Sequence, residues 1–132
     1  MRTRRLFFGS ILLVLSVTAS GCGEPCNDAS AASDVRGAFA VTVESTSGAC
    51  EAVELPSSVQ YGTFGLQVDG CVGGRSGFSA TCRLDAELTC DAGGTFALDV
   101  LFDDDLDRAE GTMARSDASG AECVADVTLR RI

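Results

Sequence analysis

The sequence contains no histidine, no lysine and no tryptophan, and it has only one tyrosine and two prolines. Without histidine, a Ser-His-Asp catalytic arrangement cannot form, and zinc sites that use histidine are excluded as well. Because lysine is absent, all ten basic residues are arginines, and they face 19 acidic residues. Such an acidic surface repels phosphate backbones, so we exclude nucleic-acid binding.

The first 21 residues have the organisation of a secretory signal peptide. Arg2, Arg4 and Arg5 give a positive start, residues 6–17 are mostly apolar, and residues 18–21 are small. Twelve apolar residues are too few for a transmembrane helix, which needs about 20. We therefore predict a cleaved signal peptide rather than a retained membrane anchor, followed by a chain that suits one domain.

The stretch Ala19-Ser20-Gly21-Cys22 resembles the lipobox of bacterial lipoproteins, with Ala19 where that pattern usually has leucine. The resemblance implies that Cys22 becomes the first residue of the mature protein and carries palmitate-type acyl chains on its sulfur and nitrogen. Several acyl chains anchor a protein stably to a membrane. Gly23 in the next position, rather than aspartate, implies the outer membrane of a Gram-negative cell envelope. The mature chain then has seven arginines against nineteen acidic residues, so it should contact the membrane through its lipid and not through a basic surface.

The cysteine count agrees with this interpretation. The sequence has seven cysteines, an odd number that leaves one without a partner in an exported protein. If Cys22 carries lipid, an even six remain, and six cysteines in a small exported domain predict a disulfide framework rather than a metal site. These six are Cys26, Cys50, Cys71, Cys82, Cys90 and Cys123.

The mature chain divides into a flexible tether at 22–34 and a β domain at 35–132. The tether contains Pro25, Asn27, Asp28 and a run of alanine and serine without apolar periodicity.

After Val35, apolar and polar residues alternate with a period of two, which is typical of half-buried strands. The alternation is clearest at 78–90, 96–102 and 123–129, and a further strand is predicted over 59–68. Short spacing and hairpin-length turns predict an all-β fold, a single antiparallel meander of seven or eight strands that forms a small barrel or a curled sandwich. The expected core contains Phe39, Phe64, Phe78, Phe96 and Phe102.

The meander also constrains the disulfides. The turns near Cys90 and Cys123 should lie at the same end of the sheet, so Cys90–Cys123 is the preferred pair. Cys50 would then meet Cys71, and Cys26 would meet Cys82. Six cysteines allow fifteen connectivities, and the others stay open.

An acidic segment offers the one candidate for a metal site. Asp103, Asp105 and Asp107 have the spacing that opens a calcium loop. The rest of that loop is missing, because Arg108 stands in place of its glycine and Ala114 in place of its last glutamate. A solvated hairpin turn is therefore the main interpretation, with a weak calcium site as the alternative.

No catalytic residues and no cofactor are indicated, so we expect a protein that is not an enzyme. Arg130 and Arg131 are expected to be surface charges that pair with nearby acids. The leading interpretation is a lipid-anchored envelope protein with a structural or interaction role and an unknown protein partner. The alternative is a lipocalin-like barrel that holds a small apolar molecule, and an acidic hydrolase is a third hypothesis. A filled core would favour the first interpretation, and a cavity of several hundred Å³ would favour the second.

Overall fold

The computed structural model of the protein describes Cys26 and residues 31–132. The predicted signal peptide, Cys22 and most of the predicted tether lie outside the described residues. The described part contains one short helix, α1 (Ala31–Asp34), followed by eight strands. The strands are β1 (Gly37–Gly48), β2 (Ser58–Gly62), β3 (Gly65–Gln67), β4 (Cys71–Phe78), β5 (Arg83–Cys90), β6 (Thr95–Phe102), β7 (Arg108–Ser116) and β8 (Glu122–Arg131).

The strands form one antiparallel sheet in the order β3-β2-β1-β8-β7-β6-β5-β4. Each strand therefore lies beside its neighbour in sequence, and the first strand, β1, also pairs with the last, β8. This pairing curls the meander into a nearly closed barrel, which confirms the predicted all-β architecture. The remaining seam lies between β3 and β4, where one bridge joins Val68 to Cys71 and the Leu66 amide donates a hydrogen bond to Ser76 Oγ at 3.0 Å.

The period-two alternation predicts the three best-formed strands correctly. In β5 and β6 every second side chain is buried, and β8 follows the same pattern with one further buried threonine, Thr128. Because paired residues in an antiparallel sheet point to the same face, the buried residues of neighbouring strands meet inside the barrel. The alternation over 78–90 fits one long strand or two short ones, and the structure has the end of β4 at Phe78, a turn, and then β5 from Arg83. Gly73 and Gly74 lie inside β4, where the register with β5 shifts, although a glycine pair usually predicts a turn.

Side chains fill the interior of the barrel. The largest residues that are fully buried come from β1, β5, β6, β7 and β8 and from the segment before β1. They include Phe39, Leu84, Phe96, Leu98, Val100, Met113, Val127, Leu129 and Val35. An eight-stranded barrel is just wide enough for its side chains to fill it or to hold one small ligand, and this barrel belongs to the first kind.

The placement of Phe64 in the core is wrong. The segment 59–68 is a hairpin and not one strand, and Phe64 stands in the two-residue turn between β2 and β3 with 93% of its surface exposed. Leu66 and Val68, which have the same parity as Phe64, are buried. The alternation therefore continues through the turn although Phe64 itself does not face the core. Phe39, Phe96 and Phe102 are buried, and Phe78 packs against the core from its edge.

Gly111 provides the first test of this packing. It pairs with Val100 on β6 and with Val127 on β8, and a Cβ at this position would overlap the Asp99 carbonyl oxygen and lie 2.7 Å from the Val100 Cα. Because β6 would have to move away, we expect Gly111→Ala to lower the free energy of unfolding by about 3 kcal/mol. Urea denaturation of the protein with its disulfides intact measures this change.

Gly77→Ala is the matched control, because Gly77 also lies in a strand and a Cβ there meets nothing within 4 Å. We expect this variant to unfold within about 0.5 kcal/mol of the parent protein. Equal stability of the two variants would show that β6 and β7 do not approach as closely as described.

Candidate functional site

The chemistry-bearing residues lie at the two ends of the barrel. We define the lower rim as the turns β2–β3, β4–β5 and β6–β7, together with the start of β1 and the end of β8. The upper rim consists of the β1–β2 loop and the turns β3–β4, β5–β6 and β7–β8. In a meander, consecutive turns fall at opposite ends of the sheet, so this division follows from the strand order.

The six cysteines after Cys22 form three disulfides with one another. Cys26–Cys82 lies at the lower rim, whereas Cys50–Cys123 and Cys71–Cys90 lie at the upper rim. Cys26, Cys71, Cys82, Cys90 and Cys123 are buried. The predicted disulfide framework and the Cys26–Cys82 pair are confirmed.

The preferred pair Cys90–Cys123 is wrong, and so is Cys50–Cys71. Cys90 and Cys123 do lie at the same end, but β6 and β7 separate their strands. Three strand spacings amount to about 14 Å, well beyond the Cα separation of about 4.4–6.8 Å that a disulfide usually spans. Each of the four cysteines at the upper rim instead bonds to a cysteine at the neighbouring strand. Cys71 is paired with Cys90 in the β4–β5 register, and Cys50 follows the end of β1 beside the start of β8.

The Cys26–Cys82 disulfide also limits the predicted tether. It fixes Cys26 to the β4–β5 turn. Of the predicted tether at 22–34, only residues 22–25 therefore come before the first covalent attachment to the barrel. Further along that segment, residues 31–34 form α1, and the following residue, Val35, is fully buried.

The acidic segment forms the β6–β7 turn at the lower rim. Asp103 and Asp105 are exposed, and the Asp107 carboxylate accepts a hydrogen bond from Arg131 Nε at 2.9 Å. Within the described part of the chain, no group of three or more acidic or cysteine side chains is placed to hold a metal ion. The geometry therefore gives no support to the alternative of a calcium site at Asp103, Asp105 and Asp107.

Arg131 closes the lower end of the barrel. It has the same strand parity as Val127 and Leu129, which face the interior, and its guanidinium carbon lies 4.9 Å from the centre of the Phe39 ring. Besides Asp107, the guanidinium donates hydrogen bonds to three backbone carbonyls. The acceptors are Arg36 at 2.8 Å, Asp34 at 3.0 Å and Leu106 at 2.7 Å.

The expectation that Arg131 is a surface charge paired with an acid is therefore only half right. Its pairing with Asp107 is as expected, but its side chain is 27% exposed and joins three chain segments: the start of β1, the β6–β7 turn and the end of β8. The signal in the sequence was the parity that Arg131 shares with Leu129. Arg130, with the opposite parity, is exposed as expected.

An open cleft of about 480 Å³ lies at the upper rim, between the β1–β2 loop and the turns β5–β6 and β7–β8. Its lining is mostly polar and includes Ser57, Asp69, Arg115 and Asp117. Arg115 is half-buried and takes part in none of the salt bridges between described residues. The cleft faces solvent, unlike the enclosed and largely apolar pockets that hold small ligands.

Two carboxylates, Asp99 and Asp117, have a lowered pKa because they form hydrogen bonds that stabilise the fold. The pKa of Asp99 is lowered chiefly by its hydrogen bond from Arg83, whose own pKa is raised by the same pair. The two N–O distances in this bidentate pair are 2.7 and 2.6 Å. The pKa of Asp117 is lowered by the Ser119 hydroxyl and by backbone amides of its own turn. A general acid needs its pKa raised toward neutrality, so neither carboxylate has that property.

Comparison with protein-family models, with curated protein sequences and with solved structures finds no match. In the residues that the structure describes, no helix is long and apolar enough to cross a membrane.

The role of Arg131 can be tested by substitution. Arg131→Ala removes four hydrogen bonds and leaves carbonyls at the lower rim without a donor, so we expect the free energy of unfolding to fall by about 3 kcal/mol. Arg131→Lys should recover only part of this loss, because one ammonium group cannot reach acceptors in three directions as the guanidinium does. Arg130→Ala is the neighbouring control and should change the stability by less than about 0.5 kcal/mol. An equal loss for Arg130→Ala and Arg131→Ala would contradict the assigned role.

The turn at Asp117 generates a prediction about pH. Asp117 Oδ1 accepts hydrogen bonds from the Ser119 hydroxyl at 2.6 Å and from the Ser119 and Ala121 amides at 2.9 and 3.1 Å. Because its pKa is lowered in the folded state, the carboxylate stabilises the fold above its unfolded pKa of about 3.9, and this contribution is lost as the pH falls through the folded value.

We therefore expect the Asp117 carboxyl carbon to titrate below the ordinary aspartate range in an NMR pH series. Ser119→Ala should move this midpoint upward, whereas Ser79→Ala, at the opposite rim, should leave it in place. An unchanged Asp117 midpoint in Ser119→Ala would contradict the assignment of the hydroxyl as the main cause.

Proposed function

We propose that this protein is a lipid-anchored, non-enzymatic protein of the cell envelope, with acyl chains on Cys22 and a rigid β barrel that has a structural or interaction role. The observation that carries the proposal is the pairing of the six other cysteines. Cys26 bonds Cys82, Cys50 bonds Cys123, and Cys71 bonds Cys90, so no cysteine of the chain is left as a partner for Cys22.

Three disulfides support export to an oxidising compartment such as the periplasm or the cell surface. In such a compartment a leftover thiol would be reactive, and acylation removes it. Cys22 stands directly after small residues that follow an apolar leader, which is where a lipobox cysteine belongs. The cysteine count and the leader are independent features of the sequence, and both favour the same residue.

The filled interior favours a structural or interaction role over the lipocalin-like alternative. A carrier of apolar molecules needs an enclosed apolar cavity, but Phe39, Phe96, Leu98 and Met113 occupy the centre of this barrel. A ligand of this domain would bind on the surface, for example in the cleft beside Arg115. That cleft is polar and open, which suits contact with a protein or polar ligand better than capture of a lipid.

The charge of the mature chain is consistent with attachment through lipid alone. Seven arginines face nineteen acidic residues after residue 21, and at least four of the arginines are engaged in ion pairs with neighbouring acids. This leaves no broad basic surface for anionic headgroups. Gly23 after the acylated cysteine supports the outer membrane as the destination.

The proposal predicts the chemistry of the mature N-terminus. Intact mass spectrometry of the protein expressed in a Gram-negative host should show a chain that begins at Cys22 and carries acyl chains, with no free thiol after unfolding. Cys22→Ala should lack the acyl mass and should shift from the detergent phase to the aqueous phase in a cloud-point partition.

Cys22→Ala keeps all six paired cysteines, so its folding should be unchanged and thermal unfolding serves as its control. A mature chain that begins at another residue, or a Cys22 thiol that remains free, would refute lipid anchoring. Turnover of an envelope polysaccharide by the purified barrel would refute the non-enzymatic role.

A further inference from the structure

The exposed apolar side chains of the barrel are concentrated at its lower rim. Phe64, in the β2–β3 turn, is 93% exposed, and Ile132 and Leu101, at the ends of β8 and β6, are 78% and 56% exposed. In the described part of the chain only two other large apolar residues are exposed: Val43 within β1 and Val72 at the upper rim. Phe64 is the extreme case, since an aromatic side chain at a turn tip contacts almost nothing in its own chain.

The length of the chain before Cys26 restricts where this rim can lie. This step rests on the proposed acylation of Cys22. Four residue steps separate Cys22 from Cys26, and a fully extended chain of that length spans about 14 Å. Cys26 stays within that distance of the acylated residue, and its disulfide holds the Cys82 Cα in the β4–β5 turn only 5.2 Å from the Cys26 Cα, so this part of the lower rim stays close to the acyl chains.

The β2–β3 turn is next to this attachment point. Strands β3 and β4 are neighbours across the seam, so the turn that carries Phe64 and the turn that carries Cys82 are adjacent on the lower rim. The β6–β7 turn, with its exposed aspartates, lies on the other side of the β4–β5 turn. The rim therefore has an acidic side at 103–107, with Leu101 and Ile132 next to it, and Phe64 lies away from those carboxylates.

We infer that the lower rim faces the bilayer and that Phe64 inserts into the boundary between headgroups and acyl chains, as a second contact beside the lipid on Cys22. Aromatic side chains on a membrane-facing surface are buried at that boundary. The acyl chains already hold the rim near the bilayer and supply the affinity of the protein for the membrane. The Phe64 contact is then intramolecular, and its effect is to fix the orientation of the barrel. The acidic side of the rim favours a zwitterionic bilayer over an anionic one.

The opposite rim then points away from the membrane. An eight-residue strand rises about 26 Å, and the usual strand tilt of about 35–45° leaves roughly 20 Å along the barrel axis. Val72, the second residue of β4, lies at that far end and is 59% exposed. It is the matched position for a comparison with Phe64.

The absence of tryptophan makes the test direct, because one introduced tryptophan reports on one site. Phe64→Trp and Val72→Trp are each prepared as acylated protein in vesicles of phosphatidylethanolamine and phosphatidylcholine. In vesicles with brominated acyl chains, we expect Trp fluorescence of Phe64→Trp to be blue-shifted and quenched by about half, and that of Val72→Trp to keep its aqueous emission. Both sites are exposed, so neither substitution disturbs the core.

A longer tether provides a second variant. Insertion of about 12 glycine and serine residues between Gly23 and Glu24 relaxes the length limit without touching the barrel, and it should reduce the quenching of Phe64→Trp severalfold. Unchanged quenching after the insertion would show that the short tether does not set the orientation.

The N-terminal mass, measured on the same samples, separates two failures. A chain without acyl groups would refute the proposed lipid anchor, and this inference with it. An acylated chain with water-exposed tryptophan at position 64, or with equal quenching at both positions, would refute the orientation alone and leave the anchor intact.

Discussion

The pairing of β1 with β8 is the constraint on which the rest of this structure depends. Nine residue pairs join the first strand to the last, and this contact turns a linear meander into a nearly closed barrel. It places the start of β1 at the lower rim beside the end of β8, where Arg131 reaches carbonyls of both the segment before β1 and the β6–β7 turn. It also carries Cys50, just past the end of β1, to Cys123 at the start of β8.

This contact joins residues that are far apart in the sequence, so forming it costs the unfolded chain much conformational entropy. A disulfide that restricts the unfolded chain lowers this cost. The Cys50–Cys123 disulfide closes a loop with a sequence separation of 73 residues, which in the chain-entropy account contributes about 4 kcal/mol. Along this contact Val41 and Val43 of β1 oppose Leu129 and Val127 of β8. Leu129 and Val127 are buried, whereas Val41 is half-buried and Val43 is exposed. Beyond Val43 the register shifts, and the second half of β1 is exposed. The disulfide thus secures the end of the β1–β8 contact where apolar burial is weakest.

The local features of the fold could be predicted from the sequence, and the pairing of distant residues could not. Period-two alternation reports which face of a strand is buried, so β5, β6 and β8 and the all-β class follow from it. Alternation does not report where a chain reverses, and for this reason it predicts a strand at Phe64, which stands in a turn. The predicted Cys90–Cys123 pair is wrong for a related reason. The alternation shows that both cysteines lie at one end of the sheet, but it does not show how many strands separate them around the barrel.

Two of the three disulfides lie at strand β4, where backbone hydrogen bonding across the β3–β4 seam is least complete. Strand β4 is an edge strand, joined to β3 by a single bridge and shifted in register at its glycines, and such an edge is a site of fraying and aggregation. Cys71–Cys90 fastens the start of β4 to β5, and Cys26–Cys82 fixes the turn that follows β4. A domain of this size buries a limited core, so it cannot rely on packing to hold a frayed edge. Cross-links at both ends of the β4–β5 hairpin supply what the β3–β4 hydrogen-bond ladder lacks, and the third secures the far end of the β1–β8 contact. The cross-link at the lower rim, Cys26–Cys82, also fixes the chain to the barrel only four residues after Cys22.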